Sequence, residues 1–263
     1  MMDSRSNSEV GHAKNVANFE QLRLRCIGFG MPYNPSRPEL QIDSLQNKLM
    51  EARMCLDVVI EKNTAESNAT NHRRILFEKL PFLTTRIVNA FAICGVHAEK
   101  LADAKGIQRK IQGRRAGKKE DAETTTPEVT LLEAETETPE ANGNGKKSKS
   151  RSSSQQSFDL KIEHVARMIS LLQSEPKYMP NEQELQVASL QMLLQEMRSA
   201  NTAAMQASME AEAARRHRKL VMYHKETGLV AIAKQVKMYV KSVFGATSQE
   251  YKEVRRFSFR VIR

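Results

Sequence analysis

A chain of 263 residues with 40% apolar residues, no Trp and 5% aromatics is long enough for one or two domains. Ala, Leu, Gln, Glu, Lys, Arg and Met dominate it, which are the good helix formers, so the composition points to an all-α fold. Its net charge of +10 allows an anionic partner, its three scattered cysteines (Cys26, Cys55, Cys94) exclude a disulfide framework, and no apolar run approaches the ~18 residues that cross a bilayer.

Taken in order, residues 1–14 are polar, lack the apolar core of a secretory signal, and read as a disordered amino terminus. From about Asn15, the positions Val16, Phe19, Leu22, Cys26 and Ile27 recur at helical spacing, and Gly28 and Gly30 close the segment before a turn at 31–35. Ser36 is a candidate cap for the next helix, with Pro38 and Glu39 in its first turn. That helix is long: Ile42, Leu45, Leu49, Ala52, Leu56, Val59 and Ile60 form one apolar stripe, and no Pro or Gly interrupts the chain before Pro81. Roughly forty such residues would make a coiled-coil-like arm of about 60 Å, with weaker helix propensity over 63–71 as a possible break. Pro81 opens a third helix through Phe82, Ile87 and Phe91, and 97–112 is a short closing segment.

Residues 120–157 differ in kind. An acidic, Thr/Pro-rich half with seven carboxylates over 121–141 precedes a Gly/Ser-rich basic half containing Lys146, Lys147, Lys149 and Arg151. Such composition buries too little apolar surface to order itself, so a disordered linker is expected. After it the pattern repeats: an amphipathic segment from Phe158, a turn at 176–181, a second long arm with Met192, Met197, Met205, Met209 and Met222 along it, a third helix after Gly228, a closing segment at 248–256, and an extended tail packed on the bundle.

The repetition is literal over one stretch. A shift of 145 residues lays Tyr33, Pro35, Glu39, Leu40, Gln41, Ser44, Leu45, Gln46, Leu49, Glu51 and Arg53 on identical residues from Tyr178 to Arg198, and later lays His72-Arg73 on His217-Arg218. We read a duplicated domain, with helical repeats over 15–119 and 158–263. The retained residues are turn-formers, a first-turn acid and an apolar stripe, the parts that launch a long helix from a fixed corner.

Searching for chemistry returns little. There is no GxSxG, HExxH, CxxC or GxGxxG, and the run Gly143 to Ser148 lacks the spacing and preceding strand of a phosphate loop. No ligand residue lies one helical turn from His72 or His217, which argues against a metal. Catalytic, cofactor and metal residues are therefore expected to be none. What remains is positive charge: 20 Lys/Arg against 13 Asp/Glu over 1–120, and 17 against 11 over 158–263. His72, Arg73 and Arg74, then Arg109, Lys110, Arg114 and Arg115, and finally Arg215, Arg216, His217, Arg218 and Lys219 are the candidate anion- or partner-binding residues. Solvated charges whose stems cover apolar surface are the plainer alternative. The Met-rich second arm is either core filling or an adaptable binding face.

The Tyr-x-Pro-x-x-x-Glu-Leu turn (33–40 and 178–185), the paired arms, the Lys-Ile-Gln-Gly-Arg-Arg stretch at 110–115 and the run Tyr239 to Ala246 resemble a family of internally duplicated all-helical bacterial proteins with no assigned activity. The resemblance implies a helical-bundle fold and a cytoplasmic setting, and carries no functional residue. The functional expectation is a non-enzymatic interaction or scaffold protein, with a protein partner or self-association. Non-specific nucleic-acid binding through the basic helix ends and linker is the alternative.

Overall fold

The computed structural model describes residues 4–114 and 156–262. Among the described residues every regular element is helical and no strand forms, so the fold is all-α. Eight α-helices follow one another: α1 (Ser4–Gly28), α2 (Ile42–Glu78), α3 (Leu80–Ile93), α4 (Ala98–Gln112), α5 (Phe158–Gln173), α6 (Val187–Tyr223), α7 (Leu229–Phe244) and α8 (Gln249–Arg255). Short 3₁₀ turns at Pro38–Leu40 and Gln183–Leu185 precede the two long helices.

The corners before the long helices are built alike. Tyr33 is buried and its hydroxyl donates to the Leu40 carbonyl at 2.7 Å; Tyr178 is buried and donates to the Leu185 carbonyl at 2.8 Å. Each bond satisfies a carbonyl at the end of a 3₁₀ turn that would otherwise be stranded in apolar surroundings. Ser36 is not the cap expected of it, because the 3₁₀ turn intervenes. Arg37 precedes that turn without a capping bond and pairs instead with Glu39 at 3.0 Å. Both arms are continuous over 37 residues, about 55 Å at 1.5 Å per residue. The weak stretch at 63–71 does not break α2, since Asn63 and Glu66 there take partners from α6 (Arg215 and Ser208), and tertiary contacts override a small propensity deficit.

The chain divides into two compact units that do not coincide with the two sequence segments. The first comprises Met1–Arg74 with Ser199–Arg263, and the second Ile75–Arg198. In the first, Phe19 and Leu22 of α1, Tyr33 and Leu40 of the corner, and Leu45, Leu49 and Ala52 of α2 bury themselves against Leu229, Ile232, Val236 and Val240 of α7 and Val254 of α8. Tyr33 meets Tyr239 edge-on at 5.3 Å. In the second, Val165, Met168, Ile169 and Leu172 of α5, the Tyr178 corner and Leu190 and Met197 of α6 pack with Leu80, Ile87, Val88 and Phe91 of α3 and Ala104 and Ile111 of α4. There Tyr178 meets Phe91 at 5.8 Å. Each core thus joins the first helix, corner and arm start of one segment to the third helix of the other.

Three further expectations need correction or restriction. The amino terminus is helical from Ser4, so residues 4–14 are helix rather than a disordered lead. His12 is buried because its Nδ1 meets the Tyr223 hydroxyl at 2.6 Å, which anchors the first turns of α1. Ser157, assigned to the linker, is the cap of α5, accepting from the Leu160 N–H at 3.2 Å. The rest of the linker, with the Gly143 to Ser148 run, lies outside the described residues. The tail after α8 is extended and packed, with Phe257 in the core and Phe259 against it.

One buried polar residue stands apart. His164 on α5 is 4% exposed and neither ring nitrogen has a hydrogen-bond partner. Burial, then the cations of Lys110 and Arg167 against the opposing Glu163, hold its pKa below the ordinary value. The folded state therefore resists a proton that the unfolded chain accepts, so stability falls as pH drops below the ordinary imidazole range near ~6.5 and is flat above it. Replacing His164→Phe should remove that slope and stabilise the fold by on the order of 1 kcal/mol, read from urea unfolding at pH 5 and pH 8. The shared cores make a second expectation: fragments 1–119 and 156–263 purified apart should each be poorly structured, and mixing them should restore helicity and a 1:1 complex. Either fragment folding alone into a compact monomer would contradict it.

Candidate partner-docking surface

The long helices meet within the first unit, and the residues on α6 that face α2 are spaced by alternating steps of three and four. Asn201, Ala204, Ser208, Ala211, Arg215, Arg218 and Met222 are buried or half-buried in that order, a seam of small and polar residues that lets two backbones approach. Partners on α6 fall in number as those on α2 rise, so the segments run antiparallel. Lys62 pairs with Glu210 at 3.0 Å, Arg215 bonds Asn63 Oδ1 at 2.7 Å and Glu66 at 2.5 Å, Ser208 donates to Glu66 at 2.9 Å, and Arg73 donates to Asn201 Oδ1 at 3.0 Å. Lys62 holds the Glu210 carboxyl below its usual range. A polar seam of this kind fixes register, because sliding by one turn would strand every member without its partner.

Beside the seam, α2 carries a second stripe. Met50, Met54 and Val58 succeed one another at four-residue spacing and are 46%, 67% and 42% exposed. With Ala214 and His217 of α6 they line an open groove of about 390 Å³, with Asn47 and Glu51 at its margin and Cys55 at its floor. The Cys55 thiol donates to the Ala52 carbonyl and burial pushes its pKa up to about 11, so it is a protonated packing group at neutral pH rather than a nucleophile. On α6, Met205 and Met209 are exposed as a further pair, flanked by Thr202, Ala213 and Arg216. Of the five methionines noted along the second arm, Met197 and Met222 fill core, while Met192, Met205 and Met209 face solvent.

The basic residues singled out from the sequence are dispersed. Arg215 to Lys219 do not form a tip; they lie alongside α2. Arg215 is consumed in the seam, Arg218 is 8% exposed and close enough to Cys55 to act on its thiol, and Arg216 pairs with Glu212 at 3.4 Å. His217 is exposed at the groove and Lys219 is exposed. His72 and Arg74 are exposed on α2, whereas Arg73 is half-buried by its bond to Asn201. Arg109 and Lys110 are exposed in the last turn of α4, Arg114 is exposed just beyond, and these belong to the second unit; Arg115 lies outside the described residues. Sequence reasoning missed the Met50, Met54, Val58 stripe, although its i, i+4, i+8 spacing is visible once Ile60, placed on the buried stripe, proves 62% exposed.

Among the described residues no group of three or more His, Cys, Asp or Glu could hold a metal ion, and no helix is long and apolar enough to cross a membrane. No protein-family model, curated protein or solved structure matches the chain, so the reading of this surface rests on its own geometry. For the seam, a double-mutant cycle on Glu66→Ala and Arg215→Ala should give a coupling energy of about 0.5–1 kcal/mol, the range for partly exposed pairs, shrinking as salt is raised. A coupling of zero would mean that the pair sets no register.

Proposed function

We propose that this chain is a non-enzymatic helical interaction protein, and that the Met50, Met54, Val58 groove between α2 and α6 is its docking face for an amphipathic helix. The observation that carries the reading is an exposed apolar stripe on a helix whose other apolar stripe is already buried. Isolated apolar residues on a surface need no explanation, but three in a row at helical spacing beside a groove match the way a third helix lies between two others. Methionine suits such a face because its unbranched thioether repacks around different partners. The stripe is also dispensable to the fold: 145 residues on, its positions hold Gln195, Ser199 and Ala203, whereas the corner tyrosines and the core leucines recur.

A second copy of the chain offers a helix of the required kind, since Met205 and Met209 present an exposed ridge on α6. A second reading, non-specific binding of nucleic acid or another anion, is favoured by the exposure of Arg109, Lys110 and Arg114 at one helix end, where they suit the negative pole of the helix dipole and remain open to phosphate. The first reading is tested by sedimentation equilibrium over a hundredfold dilution. Association is expected, and Met54→Glu should weaken it at least tenfold with helicity unchanged. A monomer at every concentration would remove self-association from the proposal.

A further inference from the structure

Segment 257–262 lies on the first unit held by its backbone, without helix or sheet bonds. Asn15 of α1, 2% exposed, grips Arg260 from both sides: its Nδ2 donates to the Arg260 carbonyl at 2.7 Å and its Oδ1 accepts from the Arg260 N–H at 3.1 Å. Asn18, one turn further along α1, donates to the Ser258 carbonyl at 2.7 Å. From the opposite wall, Lys237 of α7 donates to the Phe257 carbonyl and sits 5.1 Å from the centroid of the Phe259 ring. Phe257 is in the core and Phe259, two residues on, packs against it, while Val261 reaches the rim of a neighbouring hollow. Main-chain bonds for affinity with pockets for alternate side chains are the construction of a site for extended peptides.

One observation separates this arrangement from ordinary packing of a tail: the groove continues past its occupant. The hollow beside Val261, about 540 Å³, is lined by Lys225, Lys234, His224 and Tyr223 with no carboxylate among its walls. Val261 is 59% exposed and brings no charge to it.

We propose that the groove between α1 and α7 is a binding site for an extended segment of a protein partner, with aromatic residues two apart and an acidic residue two beyond the second. Segment 257–262 then occupies the groove in cis as a mask. A tethered occupant competes at an effective concentration in the millimolar range, so a partner displaces it by an interaction the mask lacks, and the carboxylate on Lys225 and Lys234 supplies one. The proposal is independent of the α2–α6 face, which shares none of these residues.

The test uses the full chain, a variant carrying Phe257→Ser and Phe259→Ser that frees its own segment, and a fluorescent peptide Phe-Ser-Phe-Arg-Glu-Ile followed by polarisation. The freed variant should bind the peptide, and the native chain at least tenfold more weakly. The peptide with Val in place of Glu should bind the variant about tenfold more weakly than the Glu peptide at low salt, with the gap closing as salt rises. Adding Asn15→Leu and Asn18→Glu should abolish binding. A freed variant with native helicity that binds neither peptide, or binds both alike, or is indifferent to the asparagines, overturns the proposal. Should the freed variant not fold, hydrogen exchange of the native chain decides: excess Glu peptide should expose the amides of 257–262, and unchanged protection counts against it.

Discussion

The apolar stripe on the first half of α2 needs cover, and in the first unit it finds that cover on α7 and α8. Everything else in that unit follows from this one burial. With Leu45 and Leu49 fixed against the third helix of the other segment, Tyr33 can close its corner on Leu40 and meet Tyr239, and α1 can lie across α7 and α8. The second unit repeats the solution with the segments exchanged, so neither half of the chain owns a complete core. Contacts that span up to 245 residues, such as Asn15 with Arg260, are entropically slow to find. The gain is that both halves of the chain must be present before either unit is whole.

Within that frame, residues sort by whether the architecture needs them. Tyr33 and Tyr178, Leu45 and Leu190, and Leu40 and Leu185 hold equivalent positions and are buried. At the surface the matched register is looser: exposed Met50 and Met54 stand opposite Gln195 and Ser199. Only the buried half of each helix is constrained by packing. Inside the second core, His164 leaves both ring nitrogens without partners.

Much of the fold was legible because it depends on local chemistry. Gly228 before Leu229 is a helix start in the structure as in the sequence, and the closing segments read at 97–112 and 248–256 contain helices from Ala98 and from Gln249, the latter capped by Ser248. The amino terminus was illegible for the opposite reason. Its order comes from His12 reaching Tyr223, 211 residues away, and no polar stretch announces a distant partner. The basic run Arg215 to Lys219 invited a reading as an exposed tip, yet Arg215 and Arg218 are spent on Glu66 and on the space beside Cys55; a charge's partner on another helix leaves no trace in its own periodicity.

The sequence by itself determined that the elements are helical and where the two matching corners lie, because helix propensity and turns are settled by neighbours along the chain. Which third helix covers which arm was decided only by tertiary structure. The apolar stripes of the two segments are chemically interchangeable, so periodicity says that each must be buried and is silent on by what. The same holds for the clasp on segment 257–262: an extended run of alternating aromatics is visible in the sequence, but the two asparagines that hold its backbone lie 240 and 245 residues upstream, and only the folded chain brings them together.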